Sequence, residues 1–176
     1  MKIKLLFSIS ILAIFFVSSS FTDSHRYDDK LFRYVDRIVR LVKWQDHLAE
    51  EYFIIGYMGD HYLYKISNSY FRGKTYHNKP IVVENYHSID QIQQHSPRLL
   101  YIGKHKQDHI EDIHSVCSTN HIFSISDDQT LKELKHPLVL LHLQGDDVQM
   151  TVNRTEAEKQ HFKLSYHLLR AAKEIK

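Results

Sequence analysis

The chain has 176 residues, a formal net charge of +2 with its histidines neutral, and one cysteine. This length suits one ordinary domain with enough chain to bury a core. The charge balance leaves no basic patch to suggest nucleic acid as a partner, and one cysteine excludes an intrachain disulfide.

At the N-terminus, Lys2 and Lys4 precede an apolar run from Leu5 to Val17, and Ser18 to Ser20 follow. Basic, apolar and small residues in that order predict a secretory signal peptide over residues 1–20, cleaved after Ser20 or a residue or two away. Read instead as a membrane anchor, the run falls short of the roughly 20 apolar residues that span a bilayer. No cysteine lies near the cleavage region to carry a lipid. Loss of Lys2 and Lys4 leaves 21 basic against 21 acidic residues in one mature domain, residues 21–176.

Asp28 and Asp29 predict the start of a helix running through Lys43. Leu31, Tyr34, Val35, Ile38, Leu41 and Val42 lie at helical spacing, and Asp29 with Arg33 and Asp36 with Arg40 are i,i+4 pairs on the exposed side. Trp44 closes the apolar stripe and is expected to pack on the sheet. Tyr52 to Asp60, an apolar run of strand length ended by Gly-Asp, reads as the central strand, buried on both faces. His61 to Phe71 reads as a helix stopped by Arg72-Gly73. Ile81 to Glu84 follows as a second strand, then a short helix from Ser88 to Gln94 with Ser88 and Gln91 in a capping-box relation. Beyond Pro97, Leu99 to Gly103 is a third strand. Asp108 and Glu111 have the spacing of another capping box, opening a helix through Ser118, and His121 to Ser126 is the fourth strand.

This alternation predicts a parallel sheet with helices on both faces. Leu138 to Leu143 and Val148 to Val152, joined by Gln144-Gly145-Asp146-Asp147, predict a hairpin that adds antiparallel strands. Asn153 with Glu156 caps a short helix. Ser165 begins the last one, with Leu168, Leu169, Ala172 and Ile175 toward the core. The expected fold is α/β, a three-layer Rossmann-like sandwich with a mainly parallel central sheet and a C-terminal antiparallel hairpin.

The 14 histidines raise the question of a metal. His105 and His109 have the i,i+4 spacing of two ligands on one helix face, with Asp112 nearby, but a helix start at Asp108 leaves His105 ahead of the helix. The expectation is solvated surface histidines, with no metal and no cofactor. No Gly-x-Ser-x-Gly elbow, dinucleotide fingerprint or phosphate-binding Gly-x-x-x-x-Gly-Lys loop occurs. Cys117 falls under a helix, and the pairs Asp127-Asp128 and Asp146-Asp147 read as turn formers. No catalytic residue is assigned, and an enzyme is not expected. The strand ends remain: Gly59-Asp60-His61, His87-Ser88, Gly103-Lys104 and Ser126-Asp127. A parallel sheet would gather them on one rim, where Gly59, Asp60, His61, Ser126 and Asp127 are the candidate ligand-binding residues, each also readable as a turn or cap.

In order and spacing, several segments resemble the YfiR family of exported bacterial proteins. They are Val42-Lys43-Trp44, Phe53 to Asp60, Gly73-Lys74 before Lys79-Pro80-Ile81, Leu100 to Gly103, Ser124 to Asp127, Val152-Asn153 and Leu164 to Ala172. The chain departs from the family pattern at Gln45, where a proline usually follows the Trp, over Asp128 to His136, where a glycine-rich loop is usual, and in lacking the cysteine pairs of some members. The resemblance implies a periplasmic regulator with a tendency to homodimerise. Its partner would be the periplasmic sensory domain of an inner-membrane diguanylate cyclase or a sensor histidine kinase, with consequences for cyclic di-GMP and biofilm behaviour. The alternative is a periplasmic small-molecule sensor that presents its ligand to a membrane receptor.

Overall fold

A computed structural model describes residues 27–44, 50–132, 137–145 and 147–175; the proposed signal peptide lies outside them. The first helix, α1, covers residues 27–41. It buries Leu31, Phe32, Val35, Ile38 and Val39 completely, each worth about 1.5–3 kcal/mol relative to exposure. The expected ion pairs form on its outer side, Arg33 with Asp29 at 3.7 Å and Arg40 with Asp36 at 3.0 Å.

Two details at the ends of α1 differ from expectation. Residue 27 is already helical, so Asp28 is no cap; it is buried and accepts a hydrogen bond from Tyr62 Oη at 2.9 Å. The helix also stops at residue 41 rather than Lys43. Val42–Lys43 (β1) pairs antiparallel with Lys163–Leu164 (β9), and Ser165 N–H donates to the Leu41 carbonyl. A long-range pairing thus satisfies backbone groups that another helical turn would have used. Trp44 packs as expected. Its ring meets Phe53, Phe123 and Phe162 edge to face, and its Nε1 donates to Val39 O at 2.7 Å.

The main chain of strands and helices is Phe53–Met58 (β2), His61–Phe71 (α2), Thr75–Tyr76 (β3), Lys79–Tyr86 (β4), Ile89–His95 (α3), Leu99–Ile102 (β5), Ile110–Thr119 (α4), Phe123–Ser126 (β6), Val139–Gln144 (β7), Asp147–Val152 (β8), Arg154–Lys159 (α5), Tyr166–Ala171 (α6) and Glu174–Ile175 (β10). Among the described residues the large sheet has eight strands in the order β10-β8-β7-β6-β5-β2-β4-β3. The five strands from β4 to β7 are mutually parallel. The C-terminal hairpin is present, but β7 runs parallel to β6, so only β8 is antiparallel to its neighbour in that hairpin. β2 is an interior strand, though third from the β3 edge rather than central.

Each face of the sheet has its own core. On one, α1, α2, α5 and α6 pack on Phe53, Ile55, Tyr57, Leu99, Tyr101, Phe123 and Ile125; on the other, α3 and α4 pack on Met58, Leu100 and Ile102. The result is the expected three-layer sandwich. From β2 the chain crosses to β4 on one side, and then returns over the opposite face to β5 on the other. The strand order therefore reverses at the junction of β2 and β5, the position outside whose carboxyl ends open α/β sheets tend to bind ligands.

Candidate functional site

The carboxyl ends of β4, β2, β5 and β6 lie side by side, as expected from the parallel alternation. The tightest point of the rim is the β2–β5 junction. Gly59 turns the chain out of β2 with φ of +89°, a conformation L side chains rarely adopt, and Gly103 N–H donates to Met58 O at 2.8 Å. A Cβ on Gly103 would lie 2.9 Å from the Gly59 carbonyl carbon and 3.0 Å from Asp60 Cβ. The two loops touch because both glycines lack side chains.

The five predicted residues divide into two groups. Asp60 caps α2, its Oδ1 accepting from Leu63 N–H at 2.9 Å. His61 is exposed at the first position of α2, with Nδ1 3.4 Å from Asn85 Nδ2 of β4; His87 Nε2 lies 3.3 Å from the same amide nitrogen. On the other side of β5, Ser126 is fully buried. Its hydroxyl donates to Ile102 O at 2.6 Å and accepts from Asp128 N–H at 3.1 Å. These bonds tie the β6 end to β5 and leave Ser126 facing no solvent.

Asp127 is the more unusual member. It is 6 % exposed, accepts from Tyr27 Oη at 3.2 Å on Oδ2, and lies 3.4 Å from the Nζ of the largely exposed Lys104. The buried Tyr101 hydroxyl lies beside the same carboxylate. A carboxylate at this depth is costly unless paired, and Lys104 supplies the pairing charge from the rim.

Beneath both groups lie Tyr57 and Tyr101, register partners on β2 and β5. Their rings stack at 5.0 Å and 19°, and both hydroxyls are buried, Tyr57 beside Ser67 and Tyr101 beside Asp127. Burial raises the pKa of Tyr101, and the nearby Asp127 raises it further. Burial also raises Tyr57, with Asp60 adding to the shift. Tyr27 is raised by burial first and then by Asp127. The three phenols therefore stay neutral and can act as donors toward a carboxylate or an incoming acceptor.

Sequence reasoning missed Tyr27, Tyr57, Tyr101 and Asn85, and placed Lys104 among the strand ends without counting it a site residue. A usable signal existed: Tyr57-Met58-Gly59 and Tyr101-Ile102-Gly103 repeat one Tyr-x-Gly ending on two strands. Among the described residues no three His, Cys, Asp or Glu side chains gather as metal ligands. Cys117 is buried in α4 as expected, and burial pushes its thiol up to about 12. Among the described residues no helix is long and apolar enough to cross a membrane.

A parallel sheet reversing at β2–β5, helices on both faces and a polar rim define a Rossmann-like α/β domain. The chain belongs to the YfiR/HmsC-like family, which it matches over residues 31–173. Members are periplasmic regulatory proteins rather than enzymes, and act with membrane signalling proteins in cyclic di-GMP control. No curated protein matches the chain. Among solved structures it is similar to a conserved domain protein from Vibrio cholerae O1 biovar El Tor strain N16961, with 12% identity, a TM-score of 0.56, and 82% of this chain and 60% of that one covered. It is also similar to an ABC domain from Streptococcus pneumoniae solved in complex with L-Trp, with 9% identity, a TM-score of 0.56, and 81% and 59% covered. The chain thus spans about three-fifths of each of those chains, and at these identities the likeness is one of fold.

Proposed function

We propose that the protein is a periplasmic regulator that binds the extracytoplasmic sensory domain of an inner-membrane signalling enzyme, a diguanylate cyclase or a sensor histidine kinase, and modulates its activity. The family match over residues 31–173 carries this reading. On this reading residues 1–20 direct export and are removed near Ser20, residues 21–176 form one domain without catalytic activity, and two copies associate. A regulator of this kind acts by binding one conformation of its target more tightly than another. Affinity purification from solubilised membranes, with the mature protein as bait, should recover a diguanylate cyclase or histidine kinase, and deletion of the protein should change cellular cyclic di-GMP. Recovery of neither enzyme class, with cyclic di-GMP unchanged, overturns the proposal.

The rim favours a second reading, a small-molecule sensor. Asp127, Tyr57 and Tyr101 place a buried carboxylate and two neutral phenols where the strand order reverses. A ligand in excess stabilises the folded state by mass action. Thermal-shift screening should find a small molecule that raises the melting temperature of the mature protein but not of Asp127→Asn. A rise that survives Asp127→Asn rejects the rim as the site.

A further inference from the structure

The rim holds a pair of histidines that the regulatory reading does not use. His61 opens α2 and His87 follows β4; both are exposed, and both present a ring nitrogen to the side chain of Asn85. The separations are 3.4 Å from Asn85 Nδ2 to His61 Nδ1 and 3.3 Å to His87 Nε2. An amide can be turned over without changing its shape, which places Oδ1 where Nδ2 stands. An amide oxygen then lies within ligand spacing of two imidazole nitrogens, one from α2 and one from the end of β4. Ligand atoms of a tetrahedral zinc centre, with bonds of about 2.0–2.1 Å, lie about 3.3–3.4 Å apart. The two separations seen here have that length before any ion is present.

The backbone that carries these ligands is pinned. Asp60 Oδ1 caps the turn that bears His61, and His87 N–H donates to Gln91 Oε1 at 2.7 Å. A groove of about 530 Å³ beside these residues, lined by Tyr64, Glu84, Asn85, His87, Gln91 and His95 among others, leaves room for a water or a further ligand on the ion. Imidazole with an amide oxygen suits the late first-row divalent ions rather than calcium or magnesium, which take oxygen ligands.

We infer that His61, Asn85 and His87 form a binding site for a divalent transition-metal ion of the zinc type, at the β4 end of the rim. Metal uptake is a property of the isolated protein and does not depend on the regulatory reading.

The test is a calorimetric titration of tag-free mature protein with zinc chloride. Saturable uptake of one equivalent is expected. His61→Ala and His87→Ala should each weaken binding about tenfold or more, since even the loss of an outer partner of a metal ligand typically costs 10–100-fold. Asn85→Ala should also weaken it, and His167→Ala, exposed on α6 away from the groove, should leave it unchanged. Far-UV circular dichroism checks that the variants remain folded. No saturable uptake by the parent protein, or equal affinity in the His61→Ala/His87→Ala double variant, overturns the inference.

Discussion

At the β2–β5 junction the absence of one carbon atom decides the geometry. A Cβ at Gly103 would press on the Gly59 carbonyl carbon at 2.9 Å, a backbone atom that cannot rotate away. Gly103→Ala should therefore destabilise the protein by about 1–3 kcal/mol, the usual cost of overpacking, read as a lower urea midpoint. A midpoint equal to the parent's would show that the two loops can separate freely. The need for a glycine was partly legible, because a Gly closes both Tyr-x-Gly strand ends. The partners of Asp127 were not: Tyr27 stands 100 residues away in sequence, and no local spacing announces a hydrogen bond over that distance.

Elements follow local signals wherever the termini are free to obey them. Ser88, Asn153 and Ser165 cap α3, α5 and α6 as their spacing predicts. Asp60 caps α2, so Asp60→Ala should cost about 1 kcal/mol of stability and Asp60→Asn much less, because an Asn side chain caps equally well. Chemical denaturation of the two variants checks this, and equal losses in both would point to the charge rather than the cap. The capping box expected at Asp108 does not form. Residues Lys104–His109 wind as a 3₁₀ turn that starts with Lys106 N–H on Gly103 O, and α4 begins at Ile110 without a side-chain cap on its His109 N-cap. The last helix likewise ends early. Lys173 N–H donates to Met150 O, and the chain continues as β10 beside β8, which moves Ile175 from the expected helix face into a strand.

On the scale of the whole molecule, the cluster of buried phenols ties stability to pH. In the unfolded chain tyrosine ionises near pH about 10, whereas burial holds Tyr57 and Tyr101 protonated well above that value in the folded state. Above pH about 10 the folded state therefore binds more protons than the unfolded one, and stability falls as pH rises. Below pH about 10 these two residues contribute no slope. Melting curves between pH 9 and 12 should show the loss, as an order-of-magnitude range set by the tyrosine pKa, and a Tyr57→Phe/Tyr101→Phe double variant should flatten it. An unchanged slope in that variant would assign the loss to other groups.

The sequence by itself determined the alternation of strands and helices, most of the caps, the apolar stripe of α1 and the placing of four strand ends on one rim. All of these arise from hydrophobic period and from side chain to backbone bonds within a few residues. Only the tertiary structure decided where α1 stops, that β7 joins the parallel set, and that Asn85 lies between His61 and His87. It also decided that Ser126 is buried while Asp127 meets Tyr27 and Lys104. Those outcomes depend on which distant segments satisfy a backbone group or a charge, and the free energy of such a contact is set by the partner that the fold brings to it.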